Sequence, residues 1–443
     1  MMGSEKLVRN RRWKDTRTDV ARINLIVAFT LLTSASVAAA QDPATVACQK
    51  CHGDRSVLTS LTGSPARTDS LFVPDSMIRD TPHGRLSCTN CHPQYSDGFP
   101  HRAPSIAEPC ETCHTQQGQL WMASIHAVNL SGDAATCVEC HGSHTVYRAD
   151  DRRSPTHALN VAAMCGSCHA DPRIISTYFT APRDTVGRTA VSQFHETVHG
   201  VALTRAGLTV AATCNDCHRA HDVFPADSTA SSVNRQHIPE TCGDCHQGIS
   251  ETYEASAHGV AYDTGVRTRE GKRAPVCVDC HPAHDIVRAD EPEWFLGVVE
   301  ECGECHERLY ETYFDTYHGK VTRLGFGLTA KCSDCHTAHE MRPASDPESS
   351  VYPVNLVATC RQCHPAANQN FVRYFSHGEP TDRARFPILF WPWIAMTTLL
   401  VCVFAFFGVH TSLWLGRFTI DRARARRDRG AVDRRRKKTS KSR

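Results

Sequence analysis

One short cysteine motif recurs eleven times along this chain, and it constrains the fold more than any other feature of the sequence. Each copy reads Cys-x-x-Cys-His, and the copies together use 22 of the 23 cysteines. Numbered 1 to 11 in chain order, the motifs are Cys48-Cys51-His52, Cys88-Cys91-His92, Cys110-Cys113-His114, Cys137-Cys140-His141, Cys165-Cys168-His169, Cys214-Cys217-His218, Cys242-Cys245-His246, Cys277-Cys280-His281, Cys302-Cys305-His306, Cys332-Cys335-His336 and Cys360-Cys363-His364. Cys402 lies outside the pattern and is most simply a small apolar residue of a helix.

The spacing of the motif has a chemical reason. Two cysteines three positions apart lie on one turn and can each bond one porphyrin, while the next histidine binds its iron, as in c-type haem attachment. Zinc sites and redox dithiols also use Cys-x-x-Cys, but neither needs a histidine directly after every copy. The sequence therefore predicts eleven covalently bound haem c groups.

Composition agrees with a fold built around cofactors. Hydrophobic residues make up 41% of the 443 residues and aromatic residues 7%, which is little material for several conventional cores. Haem pockets need only local turns, and glycine and proline are frequent between the motifs. We therefore expect a mainly α-helical fold with much irregular structure and little β-sheet.

A longer repeat organises the body of the chain. His-Gly recurs from residue 199 to 258, 318 and 377 at intervals of 59, 60 and 59 residues, and each interval contains two motifs. Units begin at about residues 83, 126, 199, 258 and 318, and motif 1 precedes them as a single-haem half-unit. The prediction is one haem domain over residues 41–385, with tandem two-haem units stacked into an elongated chain.

Histidines outside the motifs recur at fixed positions and are candidate second axial ligands of the irons. Their number equals the number of motifs when His101 is included, because Tyr95 stands at the regular position of the first unit. The candidates are His83, His126, His199, His258, His318 and His377 of the His-Gly type (His-Ala at residue 126), His144, His221, His284 and His339 three residues after a motif histidine, and His101. His157, His195, His237 and His410 are the alternatives.

A histidine three residues after a motif histidine lies on the same side of that porphyrin. His144 therefore cannot complete the site of His141, and we expect it to serve a neighbouring haem. The sequence does not assign the partners.

The N-terminus is typical of an export signal. Basic residues between Arg9 and Arg22 precede an apolar stretch from Ile23 to Val37, and three alanines end at Ala40. We interpret residues 1–40 as a cleaved signal peptide, with an uncleaved anchor as the alternative.

The C-terminus is typical of a membrane anchor. Residues 386–416 carry no Asp, Glu, Lys or Arg. This uncharged stretch is longer than the roughly 20 residues that cross a bilayer, and tryptophans lie near both of its ends. Residues 417–443 carry a net charge of +10. Because positive flanks stay inside, we expect the tail in the cytoplasm and the haem body in the periplasm.

Charge and position also bear on partners. Residues 23–416 carry a net charge of −12, which suits basic or cationic redox partners. The basic tail, next to a membrane span, favours anionic lipid or a protein partner over nucleic acid. His410, inside the span, is a candidate ligand of a b-type haem shared with a partner or part of a quinol site; the alternative is a neutral histidine bonded to the backbone.

The alternation of Cys-x-x-Cys-His-x-x-His with Cys-Gly-x-Cys-His and Tyr-x-x-x-x-His-Gly, over about residues 48–378, resembles bacterial multihaem c-type cytochromes. The likeness is greatest to membrane-anchored ones that work beside a cytochrome b subunit, and the residues around His410 resemble the junction with such a partner. The resemblance implies a bacterial inner-membrane protein of a respiratory chain. It would carry electrons between the quinone pool and periplasmic or extracellular redox acceptors.

Two function classes follow. An electron carrier needs irons closed by two histidines, whereas a reductase of nitrite or sulfur oxyanions, or a hydroxylamine oxidase, needs an open iron. No Cys-x-x-Cys-Lys motif occurs, which favours the carrier. The sites of His52 and His101 are where an open iron would be sought.

Overall fold

The computed structural model describes residues 43–95, 101, 110–128, 135–174, 185–268 and 270–440. The expected signal peptide, residues 1–40, lies outside these ranges. The chain divides into two compact units, Met1–Gln119 with Ala135–Ser154, and Leu120–Ala134 with Pro155–Arg443.

Short helices make up nearly all the regular structure. Up to residue 154 they are α1 (Pro43–His52), α2 (Arg55–Thr62), α3 (Pro65–Leu71), α4 (Ser76–Arg79), α5 (Cys88–Cys91), α6 (Cys110–Cys113), α7 (Thr115–Ala123), α8 (Ile125–Val128) and α9 (Cys137–His141). Beyond it they are α10 (Ala158–His169), α11 (Thr185–Phe194), α12 (Val198–Thr204), α13 (Cys214–His218), α14 (Ile238–Gly243), α15 (Gln247–Glu254), α16 (Ala257–Asp263), α17 (Cys277–Cys280), α18 (Pro292–Cys305), α19 (Glu307–Asp315), α20 (Tyr317–Arg323), α21 (Cys332–His336), α22 (Leu356–Arg361) and α23 (Pro387–Ser440).

No β-strand occurs in the described ranges, where pairing is limited to an isolated bridge between Arg267 and Arg273. The predicted fold class, mainly helical with much irregular structure, is confirmed.

Even-numbered motifs form helices of one turn with a side-chain cap. In motif 8 the carboxylate of Asp279, between the two cysteines, accepts a hydrogen bond of 2.6 Å from the amide of Val276. In motif 10, Asp334 accepts one of 2.7 Å from Lys331. The residue between the cysteines thus satisfies an amide that a helix N-terminus leaves without an intrahelical partner.

Motifs 1, 5 and 9 lie instead at the ends of longer helices. Motif 5 ends α10, motif 9 ends α18, and motif 1 ends α1. The helix brings its last turn, with both cysteines, into place without a capping side chain of this kind.

The glycine of the His-Gly pattern has a packing reason. A Cβ at Gly259 would lie 2.1 Å from the carbonyl oxygen of Tyr253, and one at Gly319 would lie 2.2 Å from that of Tyr313. Hydroxyls two residues before the histidine cap the same helices, and the oxygen of Ser256 lies 3.1 Å from the amide of Gly259. The turn before each such helix therefore packs directly against its first residues.

The polypeptide alone encloses little apolar material. Among the described residues the buried hydrophobic side chains are Leu58, Val161, Ala162, Leu203, Ile238, Val276, Val299, Tyr313 and Ala367. This scarcity agrees with cofactors, rather than side chains, forming most of the core.

Helix α23 differs from all the others. It runs for 54 residues with Pro392 inside it, and no residue in its apolar part is buried. Of the described helices it is the one long and apolar enough to cross a membrane. At 1.5 Å per residue it is about 80 Å long, so it extends beyond a hydrocarbon layer of about 30 Å.

Candidate haem sites

Histidine rings face one another in ten pairs, and each pair joins one motif histidine to one histidine outside the motifs. The centres of the two rings are 5.9 to 6.3 Å apart in every pair. The pairs, motif histidine first, are His52–His101, His92–His144, His114–His83, His169–His126, His218–His284, His246–His199, His281–His339, His306–His258, His336–His377 and His364–His318.

This separation fits two imidazoles on opposite sides of one metal ion. An imidazole nitrogen lies about 2 Å from a metal that it binds, and its ring centre lies roughly 1 Å further, so the two centres come about 6 Å apart. The histidines therefore fit haem irons with two axial ligands.

The pairs follow a register that the sequence did not assign. The histidine three residues after an even-numbered motif pairs with the motif two places earlier, so His284 meets His218 and His339 meets His281. A His-Gly histidine before an even-numbered motif instead pairs with the next odd-numbered one, as His258 does with His306. At least one intervening motif separates each of these histidines from its partner in the sequence, so the pairs connect separate motifs.

The register also explains the two irregular ligands. The regular partner of motif 10 would follow a motif 12, which the chain lacks, and His377 pairs with His336 instead. The regular partner of motif 1 would precede a motif that the chain also lacks, and His101 pairs with His52. For the same reason the position of Tyr95 needs no histidine, since no motif lies two places before motif 2.

His141 and His221 are the two histidines predicted as axial ligands that are not among these ten pairs. Two of the four alternatives have other roles: the ring nitrogen of His157 caps α10 by accepting a bond of 3.2 Å from Leu159, and His237 contacts the carbonyl oxygen of Thr229 at 3.0 Å. These contacts agree with leaving both outside the ligand set.

Burial favours the form that binds metal in several of the facing histidines. It lowers the pKa of His218 to about 4, with smaller contributions from His284 and His169. It also lowers the pKa of His258, with a second contribution from His306. A neutral imidazole is the metal ligand, so no proton has to be displaced at neutral pH.

Hydrogen bonds to the other ring nitrogen orient some of these ligands. The Nδ1 atom of His52 lies 2.7 Å from the carbonyl oxygen of Leu71, and that of His377 lies 3.1 Å from the hydroxyl of Thr312. Such bonds fix the ring orientation and leave Nε2 for the metal.

Motifs adjacent in sequence are also adjacent in space, both across and within the two-haem units. Side-chain hydrogen bonds join the first cysteines of motifs 5 and 6, of motifs 7 and 8, and of motifs 9 and 10. Between these pairs, the second cysteine of one motif interacts electrostatically with a cysteine of the next, as Cys280 does with Cys302. Two kinds of contact between consecutive motifs, the junctions, therefore alternate from motif 5 onward.

The described side chains favour haem over zinc at these motifs. No group of three or more His, Cys, Asp or Glu residues within the described ranges is arranged to hold a bare metal ion. A structural zinc site needs four such ligands.

Sequence reasoning missed one contact of the ligand set. The ring of Trp294 stacks on that of His281 with centres 4.7 Å apart and planes 5° apart. Trp294 lies in the first turn of α18, whose last turn carries motif 9. Its position eight residues before Cys302 was the signal available, but other units carry no tryptophan there for comparison.

Comparisons with known proteins agree with these sites. No family model matches the chain, and no solved structure matches it significantly. Cytochrome c-type protein NrfB of Escherichia coli is 26% identical over 139 residues, which cover 31% of this chain and 71% of that protein. Multiheme cytochrome MtrA of Shewanella baltica is 25% identical over 193 residues, covering 38% of this chain and 54% of that protein. Together with the cysteine motifs, these likenesses support a multihaem c-type cytochrome.

Proposed function

We propose that this protein is a membrane-anchored electron carrier that holds eleven c-type haems, each iron between two histidines. The observation that carries the proposal is the set of ten histidine pairs at the separation of a shared metal ion. A haem iron with two histidine ligands exchanges single electrons and offers no open site to a substrate.

The chain has three tasks in this proposal. Its cysteines fix the porphyrins in order, its histidines close both faces of each iron, and its alternating junctions hold neighbouring motifs close. The names of the similar proteins, a c-type protein and a multiheme cytochrome, also favour electron transfer.

We place the haem body in the periplasm and the chain in the inner membrane through α23. The net charge of +10 after the span supports this orientation, because positive flanks stay in the cytoplasm. The electrons would pass between the quinone pool, through a cytochrome b-type subunit, and periplasmic or extracellular acceptors. The acidic body suits basic partners on the acceptor side.

His410 is the candidate contact with the membrane partner. Its ring is exposed on α23 and lies 6.5 Å from that of Phe406. We propose that it binds a b-type haem shared with the partner or borders a quinol site. Copurification of membrane haem b with the wild-type chain, and its loss with His410→Leu, would support the first role.

The geometry at motif 1 favours the carrier over an enzyme with an open haem. His52 and His101 are 6.0 Å apart, the same separation as in the regular pairs. That separation supports a closed iron at the site where an open iron was sought.

The test begins with the purified oxidised protein. A pyridine haemochrome assay is expected to give about eleven haems per chain, and electron paramagnetic resonance (EPR) is expected to show low-spin iron alone. A high-spin signal that shifts with nitrite, hydroxylamine or cyanide would overturn the carrier, and a much lower haem count would overturn the motif assignment.

A ligand substitution tests the histidine pairs. His339→Met is expected to convert one haem to histidine–methionine ligation, which adds a near-infrared sulfur-to-iron band and raises one midpoint potential. His237→Met is the matched control and should leave all haems unchanged. An unaltered spectrum in His339→Met would contradict the pairing.

A further inference from the structure

The last candidate axial ligand in the sequence, His377, lies close to the start of α23. His377 lies ten residues before the start of α23, and its Nδ1 atom lies 3.1 Å from the hydroxyl of Thr312 on α19. A Cβ on the next residue, Gly378, would lie 2.7 Å from the side chain of Leu389 in the first turn of α23. The backbone beside the ligand is therefore in close contact with the membrane helix.

An arginine on the same helix as Thr312 holds the connecting segment. Arg308 donates a hydrogen bond of 2.8 Å from Nε to Glu379 and one of 3.1 Å from Nη2 to Asp382. Both acceptors lie between His377 and α23. Hydrogen bonds from the amides of Arg385 and Ala384 and from Arg308 keep the pKa of Asp382 below its usual range.

Aromatic packing closes the other side of this segment. The rings of Phe375 and Phe386 meet edge to face with centres 5.7 Å apart. Phe375 lies two residues before His377, and Phe386 directly precedes α23. The connection is thus short and held at both ends.

We propose that Arg308 and Leu389 are positioning residues that couple α23 to the axial ligand His377. This rests on the proposed role of His377 as the ligand opposite His336. Because no residue in the apolar part of α23 is buried, a membrane subunit can pack against this helix and shift its first turn. That shift reaches His377 through Gly378 and the Arg308 contacts, so this one haem site responds to the membrane partner.

The test uses the full haem-loaded chain in lipid nanodiscs. EPR and potentiometric titration compare the wild type with Arg308→Leu and Leu389→Ala. Both variants are expected to change the g values and midpoint potential of one and the same haem. Arg308→Lys, which keeps a cation at that position, should restore part of the wild-type signal.

Two further variants make the outcome decisive. His377→Met identifies the signal of its haem, and Arg288→Leu, which removes another exposed pair with Asp290, is the matched control. If His377→Met alters one signal but neither Arg308→Leu nor Leu389→Ala moves it, the coupling is wrong while the ligand role stands. If His377→Met alters no signal, the ligand role itself is wrong.

Discussion

Trp294 lies flat against His281, with ring centres 4.7 Å apart and planes 5° apart. The plane of His281 is in turn only 19° from that of His339, its partner across the proposed iron. Since α18 carries Trp294 at one end and motif 9 at the other, one helix fixes a ligand of motif 8 and the cysteines of motif 9. The tryptophan thus limits rotation of the His281 ring.

Replacing Trp294 tests this restraint. Trp294→Leu removes the flat surface, so the His281 ring is expected to rotate and the g values and potential of one haem to change. Trp294→Phe should retain most of the wild-type signal. EPR with potentiometric titration measures both, and equal effects of the two variants would argue against a stacking role.

Phe371→Leu provides the comparison. Phe371 meets His364 at 5.1 Å with a tilt of 45°, so it restrains its ligand less than Trp294 does. We expect a smaller change, in a different haem.

The angles between paired ring planes predict two spectroscopic classes. The planes are 68° apart for His83 and His114 and 74° apart for His126 and His169, against 13° to 39° for the other eight pairs. Nearly perpendicular ligand planes give strongly anisotropic low-spin ferric signals, whereas smaller angles give rhombic ones.

Low-temperature EPR of the oxidised protein should therefore show a minor, strongly anisotropic component beside a rhombic majority. His126→Met should reduce the minor component, and His258→Met, whose pair has an angle of 29°, should reduce the rhombic one. A single homogeneous class would contradict these angles.

Gly259 and Gly248 form a matched pair for testing the His-Gly turn. A Cβ at Gly259 would lie 2.1 Å from a backbone carbonyl, whereas one at Gly248 would meet nothing within 4 Å. Gly259→Ala is expected to cost about 1–3 kcal/mol or more through overpacking. Gly248→Ala, in the first turn of α15, should stabilise by at most roughly 0.5–1 kcal/mol.

Urea unfolding followed by far-ultraviolet circular dichroism measures both effects. The haem content of each variant provides the control for cofactor attachment. Equal stability of the two variants would show that the turn tolerates a side chain at Gly259.

Much of the fold and of the candidate sites can be predicted from the sequence, because haem attachment and ligation require residues at fixed spacings. The motifs, the helical class and the set of candidate ligands follow from residues at fixed offsets, as with His258 and His318. The pairing does not, because a ligand such as His339 meets a motif more than 50 residues earlier, and local spacing says nothing about that distance. Trp294 was missed for a similar reason, since its partner is brought close only by the turn before α18.

Backbone strain directly after motif 6 offers the last test. The residue that follows the motif histidine has φ 77° and ψ 170° at Gly142, but φ 63° and ψ 176° at Arg219. This region suits glycine almost alone, and other residues there cost of order 1–3 kcal/mol. Arg219→Gly should therefore raise the free energy of unfolding by about 1 kcal/mol, after the greater freedom of glycine in the unfolded chain is subtracted.

Arg205→Gly is the control for this prediction. The side chain of Arg205 is similarly exposed, at 68% against 62% for Arg219, but its φ is an ordinary −96°, so the same change should destabilise the protein. Urea midpoints of both variants decide the matter, and a loss of stability in Arg219→Gly as large as in Arg205→Gly would contradict the strain.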